Sequence, residues 1–564
     1  MPTLRPGHGL LLLFASALML PVLAVLASWV PWGGGMAASL SILGEMAGTV
    51  LPDYVATTVL LCALVTVGVV AFGLSTAAAV TLFDFPGKRF FEWALLLPLA
   101  MPAYVVAYAY SDFLQYSGPL QTAMRNLSGL EGRMLPEVRS VWGAAWVFTF
   151  SLYPYVYLLA RAALGERATQ LMEAARLMGA SLSRRIREVA LPLARPAVAA
   201  GVALALMETL ADFGVSSYFG VQTFTAGIYK AWLSMDNRIA AAQLSTMLLV
   251  LVAILLALEQ RAQRTMRFST LKGARAGSAD AQPVALGGWQ AVAAWWLCLT
   301  PVLMGFVFPV LFMLRPLLAG SDALPWARFV EWSVNSVRLA SMTSVLAVLL
   351  ALGLAYSARR SSHWVPKLSA RLASLGYAIP GAVVVVGLLL PVGWMQATYP
   401  DLQVGYYVTA TAFGIVWAYL VRFCAVALQS LQSGYARVPQ SLDESARMLG
   451  AGPLRILSTV HWPLLKRSVA AATLLVFVDV MKELPATLVL RPFNSDTLAV
   501  VAYQLARDER LGEAALPCLA LVLVGLLPVM LLSRTLRASP HSKSATGDVS
   551  QDVTQDVVTG RGSL

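Results

Sequence analysis

Long apolar segments alternate with short polar ones along almost the whole chain. A helix that crosses a bilayer needs about 20 apolar residues, and the pattern predicts twelve such spans. They lie at residues 10–30, 55–82, 92–112, 141–164, 197–221, 240–258, 290–314, 337–357, 372–392, 405–428, 468–490 and 515–533. Because helices satisfy their own backbone groups in lipid, we expect an all-α polytopic membrane protein. The composition agrees, since 58% of the residues are hydrophobic and 12% are charged.

A polar segment after the fourth predicted span has a near-copy after the tenth. Residues 173–201 read EAARLMGASLSRRIREVALPLARPAVAAG, and residues 444–472 read ESARMLGAGPLRILSTVHWPLLKRSVAAA, 271 positions further on. Pro102 and Pro380, 278 positions apart, lie in similar apolar contexts and extend the match beyond these segments. Six spans per half give both halves the same orientation, so the sequence predicts a parallel duplication.

The duplication and the composition predict four regions. We expect a first half at residues 1–258, a linker at 259–288, a second half at 289–537 and a tail at 538–564. The linker is basic and then rich in Ala, Gly and Ser. The tail has few large apolar residues, which is typical of disorder.

The formal net charge of +12 raises the question of a nucleic-acid partner. Most of the Lys and Arg residues, however, fall in segments that share one side of the membrane when the N-terminus is cytoplasmic. Such a bias sets topology by the positive-inside rule. We therefore expect a multi-pass protein with both termini in the cytoplasm, and no nucleic-acid partner.

The repeated segment carries a recognisable pattern: E-A-A, three residues, Gly, nine residues, an aliphatic residue, any residue, and Leu-Pro. In the first copy its positions are Glu173, Ala174, Ala175, Gly179, Leu191 and Pro192. In the second copy they are Glu444, Ser445, Ala446, Gly450, Trp462 and Pro463. The pattern resembles the cytoplasmic coupling loop of binding-protein-dependent ABC importer permeases. Ser445 and Trp462 depart from it, so the two loops are not expected to bind their partners equally.

The resemblance implies a type I ABC importer permease fold in a bacterial inner (plasma) membrane, with coupling loops at 165–196 and 432–467. It implies that each loop docks on one of two separate ABC ATPase subunits, which bind ATP and Mg²⁺, and that a periplasmic or extracellular binding protein delivers the substrate. The chain itself would be a permease subunit in contact with lipid, without catalytic residues or a bound cofactor. It has no G-x-x-x-x-G-K-[ST] phosphate loop of its own.

Ionisable residues inside predicted spans are candidates for the substrate pathway. Glu208 and Asp212 lie four residues apart, and so on one face of the fifth predicted span. Asp479 and Glu483 match them 271 positions on, with Lys482 nearby. Such groups are costly in a bilayer and usually face a cavity, and an acidic pathway suits a cation. The alternative is structural hydrogen bonding, or an ion pair of Lys482 with Asp479 or Glu483.

The segments at 208–243 and 479–506 resemble the ferric iron branch of fused, two-loop permeases, which makes Fe³⁺ the expected substrate. Thiamine or an aminophosphonate is the alternative within the same class. An ion-coupled secondary transporter is the alternative from a different class, although two matched coupling loops argue against it. No metal site is firmly assigned, and no motif supports a membrane-embedded enzyme.

Six tyrosines cluster in the third and fourth predicted spans and raise the question of phenolate ligands for ferric iron. An interfacial aromatic belt explains such tyrosines without a ligand, and we favour that interpretation. They are Tyr104, Tyr108, Tyr110, Tyr153, Tyr155 and Tyr157.

Overall fold

The computed structural model describes residues 6–29, 35–271, 283–319, 326–361 and 363–537, and these residues are almost entirely helical. The predicted tail at 538–564 and the centre of the predicted linker lie outside the described residues. The first part of the predicted linker, up to Leu271, continues the last helix of the first half.

The first half contains thirteen α-helices among its described residues. They are α1 Pro6–Ala27, α2 Gly35–Gly48, α3 Leu51–Leu82, α4 Lys88–Ala94, α5 Ala103–Leu114, α6 Pro119–Ser128, α7 Val141–Leu164, α8 Glu166–Leu177, α9 Leu182–Arg185, α10 Leu191–Ala211, α11 Gly214–Tyr218, α12 Phe224–Tyr229 and α13 Arg238–Leu271. A 3₁₀ turn, Leu97–Ala100, precedes α5, and π-helical turns occupy Ile186–Ala190 and Lys230–Ser234.

The second half repeats this order. Its helices are α14 Gly288–Val302, α15 Phe308–Ala319, α16 Trp326–Arg360, α17 Trp364–Ser374, α18 Gly381–Thr398, α19 Val404–Thr409, α20 Ala412–Tyr435, α21 Gln440–Met448, α22 Pro453–Ile456, α23 Trp462–Lys482, α24 Pro485–Leu490, α25 Leu498–Arg507 and α26 Leu511–Arg537. The 3₁₀ turns are Gly376–Ala378 and Pro400–Leu402, and the π-helical turns are Leu303–Val307 and Leu457–His461.

Strand structure among the described residues is limited to one short parallel pair. β1, Phe83–Asp84, pairs with β2, Val284–Ala285, through the register Phe83 to Val284. This pair fixes the chain that enters the second half against the loop between α3 and α4.

Equivalent helices in the two halves start and pack in the same way. The Ser140 side chain accepts a hydrogen bond from a backbone amide in the first turn of α7, and Thr411, 271 positions on, does the same for α20. Helix α7 packs on α3 and α10, and α20 packs on α16 and α23. The structure is therefore a duplication, as the sequence predicts.

The halves are interlocked and do not simply lie side by side. Helix α1 packs on α18 of the second half, and α15 packs on α5 of the first half. The indole nitrogen of Trp417 donates a hydrogen bond to the carbonyl of Ala17 at 3.0 Å. Gly387 of α18 lies so close to the Pro21 carbonyl that no side chain fits there. The first span of each half thus belongs to the core of the other half.

The number of spans differs from the predicted twelve. Ten described helices are long and apolar enough to cross a membrane, and an eleventh span results if Lys88–Ala100 and Ala103–Ser128, bent by 88°, are counted as one. The remaining predicted span corresponds to α23, which has 21 residues. Its composition is less apolar because it includes four charged residues, Lys466, Arg467, Asp479 and Lys482.

Two predicted spans also end earlier than expected. The spans at 197–221 and 468–490 were expected to be continuous, but α10 ends at Ala211 and α23 ends at Lys482. The next residues, Asp212 and Glu483, have extended backbone angles and separate each long helix from a short one, α11 or α24. Both breaks occur at acids that the sequence places in the substrate pathway.

Candidate functional site: transport cavity and coupling loops

A cavity of about 210 Å³ lies between the two halves, at the ends of α10 and α23. It is lined by all five charged residues that the sequence analysis places in the substrate pathway: Glu208, Asp212, Asp479, Lys482 and Glu483. Arg422 and the tyrosines Tyr104, Tyr155 and Tyr377 also line it. The structure therefore brings the predicted pathway residues of both halves to one place.

Asp212 and Glu483 use their carboxylates to cap short helices. Asp212 accepts a hydrogen bond from the backbone amide of Val215 at 2.8 Å. Glu483 accepts from the amides of Ala486 and Thr487 at 2.9 and 3.0 Å. Carboxylates are favoured at helix N-termini because they satisfy free amides there. The expectation that Glu208 and Asp212 share one helix face is wrong, because Asp212 lies beyond the end of α10.

Glu483 is additionally paired with a cation. The Arg422 guanidinium lies 2.9 Å from the Glu483 carboxylate, and the two side chains are 11% and 2% exposed. A buried pair of this kind leaves neither charge free for another ion. Arg422 is not among the predicted site residues, although an arginine within a predicted span is itself unusual.

Glu208 and Asp479 keep their helical positions, and both face the cavity. Glu208 accepts a hydrogen bond from the Tyr377 hydroxyl of the other half at 2.7 Å. Among the described residues, no hydrogen bond or ion pair within ordinary contact distance reaches the Asp479 carboxylate. These two acids, which are equivalent in the repeat, are thus the ones available to a ligand.

Lys482 does not form the ion pair that the sequence left open. Its ammonium donates a hydrogen bond to the carbonyl of Leu99 in the first half at 3.0 Å. The carbonyl of Lys482 accepts from the Tyr104 hydroxyl at 3.3 Å. With its carboxylates ionised, the cavity wall therefore holds four acids against two bases, Lys482 and Arg422.

The predicted tyrosine belt is not formed. Tyr104, Tyr108, Tyr110, Tyr153 and Tyr157 are all less than 5% exposed in the described part of the chain. The hydroxyls of Tyr153 and Tyr110 donate to the carbonyls of Leu95 and Met304 at 2.9 and 2.7 Å. All five are interior residues, and backbone carbonyls accept the hydrogen bonds of four of their hydroxyls, those of Tyr104, Tyr110, Tyr153 and Tyr157. Tyr104 and Tyr155 line the cavity.

The two repeated polar segments fold as the same helix–turn–helix. Gly179, after α8, has φ +82°, and Gly450, after α21, has φ +79°. The Gly179 amide bonds the Arg176 carbonyl, and the next amide bonds Ala175; the second loop repeats both bonds. This is the Schellman arrangement, in which glycine accepts the left-handed conformation at low cost. The left-handed turn at Gly179 is as the sequence predicts.

Large apolar side chains are exposed on both turns. Leu177 and Met178 are 83% and 81% exposed, and the equivalent Met448 and Leu449 are 89% and 88% exposed. Apolar side chains presented in this way on polar segments are typical of a protein interface. Of the small residues in the pattern, Ala175 is buried, while Ala174 and Ser445 are exposed.

The second loop is held by a polar cluster that the sequence analysis did not identify. Asp443 of α21 lies 2.8 Å from Arg359 at the end of α16, and 2.8 Å from His461. Tyr435 completes the cluster with a 3.3 Å contact from its hydroxyl to His461 Nδ1. Burial raises the pKa of the Asp443 carboxyl, but the hydrogen bonds from Arg359 and His461 outweigh it, so this pKa lies below its usual value.

The equivalent positions of the first loop are apolar. Met172, Ala190 and Leu164, each 271 positions before Asp443, His461 and Tyr435, are buried in the core. A comparison of the two repeats position by position would reveal this joint change from apolar to polar. The two coupling loops thus have the same backbone but different anchors to the membrane helices.

Three comparisons with known proteins bear on this architecture. The chain is 26% identical to the Fe(3+)-transport system permease protein FbpB 2 of Haemophilus influenzae, over 93% of the chain and 97% of the relative. It is 23% identical to the ferric transport system permease protein FbpB of Actinobacillus pleuropneumoniae, over 78% of the chain and 64% of the relative. Over only 25% of the chain and 50% of the relative, it is 30% identical to the sulfate transport system permease protein CysT of Salmonella typhimurium.

A family model matches the chain twice, once in each half. The matched residues are 70–268 and 345–539, which include both coupling loops and all of the cavity acids. The ten apolar helices found in the described part of the chain and this double match fit a multi-pass inner-membrane protein of the ABC importer permease class. The chain belongs to the family described as the binding-protein-dependent transport system inner membrane component, and it carries two copies of the family's unit.

Proposed function

We propose that this permease moves Fe³⁺ across the inner membrane through the cavity between its halves. The observation that carries the proposal is the pair Glu208 and Asp479, the two cavity acids that cap no helix. Carboxylate oxygens are hard ligands suited to a small, highly charged cation. Three residues able to hold a resident metal ion are not found together in the described part of the chain. Two transient ligands are consistent with passage of the ion.

The relatives also support iron. The two ferric-named relatives extend over 93% and 78% of the chain, whereas the sulfate-named relative covers 25%. The excess of acids over bases in the cavity disfavours an anion such as sulfate. Thiamine, also a cation, is the second candidate, since its positive charge suits the same carboxylates.

ATP would be hydrolysed by two partner subunits, one on each coupling loop. The exposed apolar turns after α8 and α21 are the surfaces that would dock there, with Glu173 and Glu444 beside them. Helices α10 and α23 continue from these loops to the cavity, so closure of the ATPases would move the cavity walls. A binding protein would deliver substrate on the side away from the loops.

The contacts between the halves favour a conformation closed on that distant side. The Ser217 hydroxyl lies 2.8 Å from the Tyr503 hydroxyl of the other half. The Tyr229 hydroxyl donates to the Pro485 carbonyl at 2.6 Å. Both contacts lie beyond the ends of α10 and α23 that face away from the coupling loops. In the proposed topology, with both termini cytoplasmic, this is the inward-facing state.

The test is uptake by proteoliposomes that contain the permease, its ATPase and its binding protein. We expect ATP-dependent accumulation of ⁵⁵Fe³⁺, and a loss of about tenfold or more in Glu208→Gln and Asp479→Asn, because each removes a charged contact worth about 1.5–3 kcal/mol. Glu331→Gln, an exposed acid of α16 outside the cavity, is the matched control.

Other outcomes would redirect the assignment. Uptake of labelled thiamine without iron would keep the permease and change the substrate. Uptake that follows a proton gradient and ignores ATP would replace the proposal with an ion-coupled secondary transporter.

A further inference from the structure

Several polar contacts cross between the halves at the wall of the cavity, and in two of them a side chain of the second half donates the hydrogen bond. In the first, the Tyr377 hydroxyl of the second half donates to the Glu208 carboxylate of the first half at 2.7 Å. In the second, the Lys482 ammonium of the second half donates to the Leu99 carbonyl of the first half at 3.0 Å. We call these two interactions the cross-half contacts.

The cross-half contacts occupy equivalent places in the repeat. Leu99 and Tyr377, 278 positions apart, both lie in the 3₁₀ turns before α5 and α18. Glu208 and Lys482 both lie in the last turn of their helices, α10 and α23. In each case, the end of a helix that comes from a coupling loop is bonded to a 3₁₀ turn of the opposite half.

The chemistry of the cross-half contacts is not equivalent. The position of Lys482 corresponds to Ala211 in the first half, and the position of Glu208 corresponds to Asp479 in the second. One contact therefore depends on a carboxylate and the other on an ammonium group. Both charged groups line the same cavity.

A cation in the cavity would weaken both contacts. The Glu208 carboxylate would turn to the cation, and its hydrogen bond from Tyr377 would be lost. The Lys482 ammonium would be repelled, because like charges in a partly buried site interact more strongly than in water. An anion would have the opposite effect on Glu208. The two contacts together thus respond to the sign of the bound charge.

Weakening of the cross-half contacts would change the positions of the coupling loops. Residues 182–211 form one continuous helical segment from α9 through the π-helical turn to the end of α10. The chain from α22 to the end of α23 is arranged in the same way. Movement of either helix end is therefore passed along a helix to the loop at its other end.

We propose that the Tyr377–Glu208 and Lys482–Leu99 contacts sense occupancy of the cavity and hold the coupling loops in their resting arrangement until a cation arrives. The inference rests on the proposed function, because it assumes a cationic substrate. Tyr377 and Lys482 act here as positioning residues. The substrate itself binds the carboxylates.

The test measures the distance between the two coupling loops in the full chain, reconstituted in lipid nanodiscs. Spin labels are attached at Leu177→Cys and Met448→Cys, equivalent exposed positions in the two turns. The partly exposed Cys62 is replaced by Ala, since the other three cysteines are buried. Ga³⁺, added as its citrate complex, replaces the paramagnetic Fe³⁺, and bound gallium is measured separately by elemental analysis.

We expect Ga³⁺ to shift the distance distribution of the labelled wild type. Tyr377→Phe and Lys482→Met should show the shifted distribution without any Ga³⁺. Tyr153→Phe is the matched control, because it removes a buried hydroxyl whose partner, Leu95, belongs to the same half. It should behave as the wild type does. Tyr377→Phe removes one oxygen only, so it carries the test even if Lys482→Met does not fold.

The failures of the two proposals are distinguishable. If Ga³⁺ binds the wild type but both variants keep the resting distribution in its absence, the sensing role is overturned and the cation cavity stands. If no gallium binds the wild type, the proposed function is overturned and the sensing role with it.

Discussion

The buried ion pair between Asp443 and Arg359 stabilises the second coupling loop. In the first loop the position equivalent to Asp443 is the apolar Met172. Asp443→Asn keeps the size of the side chain and removes its charge. The Asp443 carboxylate and the Arg359 guanidinium are only 10% and 11% exposed, so solvent screens their interaction weakly. The substitution is therefore expected to loosen α21 from the end of α16.

The magnitude follows from the partners that remain. Removing one side of a buried ion pair costs about 3–5 kcal/mol when the other charge is left without a partner. Arg359, however, also donates to the carbonyls of Tyr435, Val438 and Pro439. The loss is then closer to that of one charged hydrogen bond, about 2 kcal/mol. A local opening equilibrium should shift by about 30-fold.

Hydrogen exchange measured by mass spectrometry on the chain in nanodiscs provides the assay. Amides of α21 and of the turn after it should exchange about 30-fold faster in Asp443→Asn, while those of α8 should not change. Met172→Leu is the control at the equivalent position of the first loop, where a volume-conserving change costs less than about 1.5 kcal/mol. Unchanged exchange at α21, or equal acceleration in both loops, would show that this ion pair does not hold the second loop.

Three further predictions concern other parts of the molecule. The pKa of Asp443 is lowered in the folded state, so its contribution to stability should be fully present above about pH 4, the ordinary pKa of Asp. That contribution should be lost as the pH falls further, through the folded-state pKa. At such low pH, hydrogen exchange at α21, corrected for intrinsic rates, should rise more than exchange at α8. Gly179→Ala should destabilise the turn of the first coupling loop by about 1 kcal/mol or more. The added methyl group meets open space, so only the left-handed backbone conformation is unfavourable for alanine. Faster hydrogen exchange confined to residues 174–181 would confirm this prediction, and exchange at the wild-type rate would contradict it. Gly387→Ala should lower the melting temperature of the whole protein, because the added methyl group would overlap the Pro21 carbonyl. Gly353→Ala is the control, since its methyl group would meet open space. An equal melting temperature for the two variants would refute the interlocked packing of α1 on α18.

The coupling loops could be predicted from sequence because their structure is local. A glycine followed by a small residue ends α8 and α21 through hydrogen bonds that span six residues. The expectation of a left-handed Gly179 therefore needed no knowledge of the rest of the fold. The duplication strengthened it, since the same pattern occurs at Gly450.

The arrangement of the cavity was only partly predictable. The four acids are visible because charged residues within apolar segments are rare. Their division into two carboxylates that cap helices and two that do not depends on helix breaks at Asp212 and Glu483, which the apolar pattern does not mark. Tyr377 could not be assigned, because its contact with Glu208 joins residues 169 positions apart and a tyrosine within a span is common. Arg422 was recognisable as unusual, but its partner was not.

The differences between the halves have a consequence for charge in the cavity. Arg422 and Lys482 correspond to Ser151 and Ala211 in the first half, and all four positions line the cavity. Two copies of the second half would place four acids against four bases and leave the wall neutral. Two copies of the first half would place four acids there without a base.

Only the combination of one first half with one second half reaches the intermediate balance of four acids and two bases. That balance retains an attraction for a cation and still provides one ammonium group, Lys482, that the cation can repel. A symmetric dimer of identical halves cannot provide a single such group, because each substitution would occur twice. If the proposed function holds, the divergence of the two repeats is what allows one cavity both to attract a cation and to respond to its arrival.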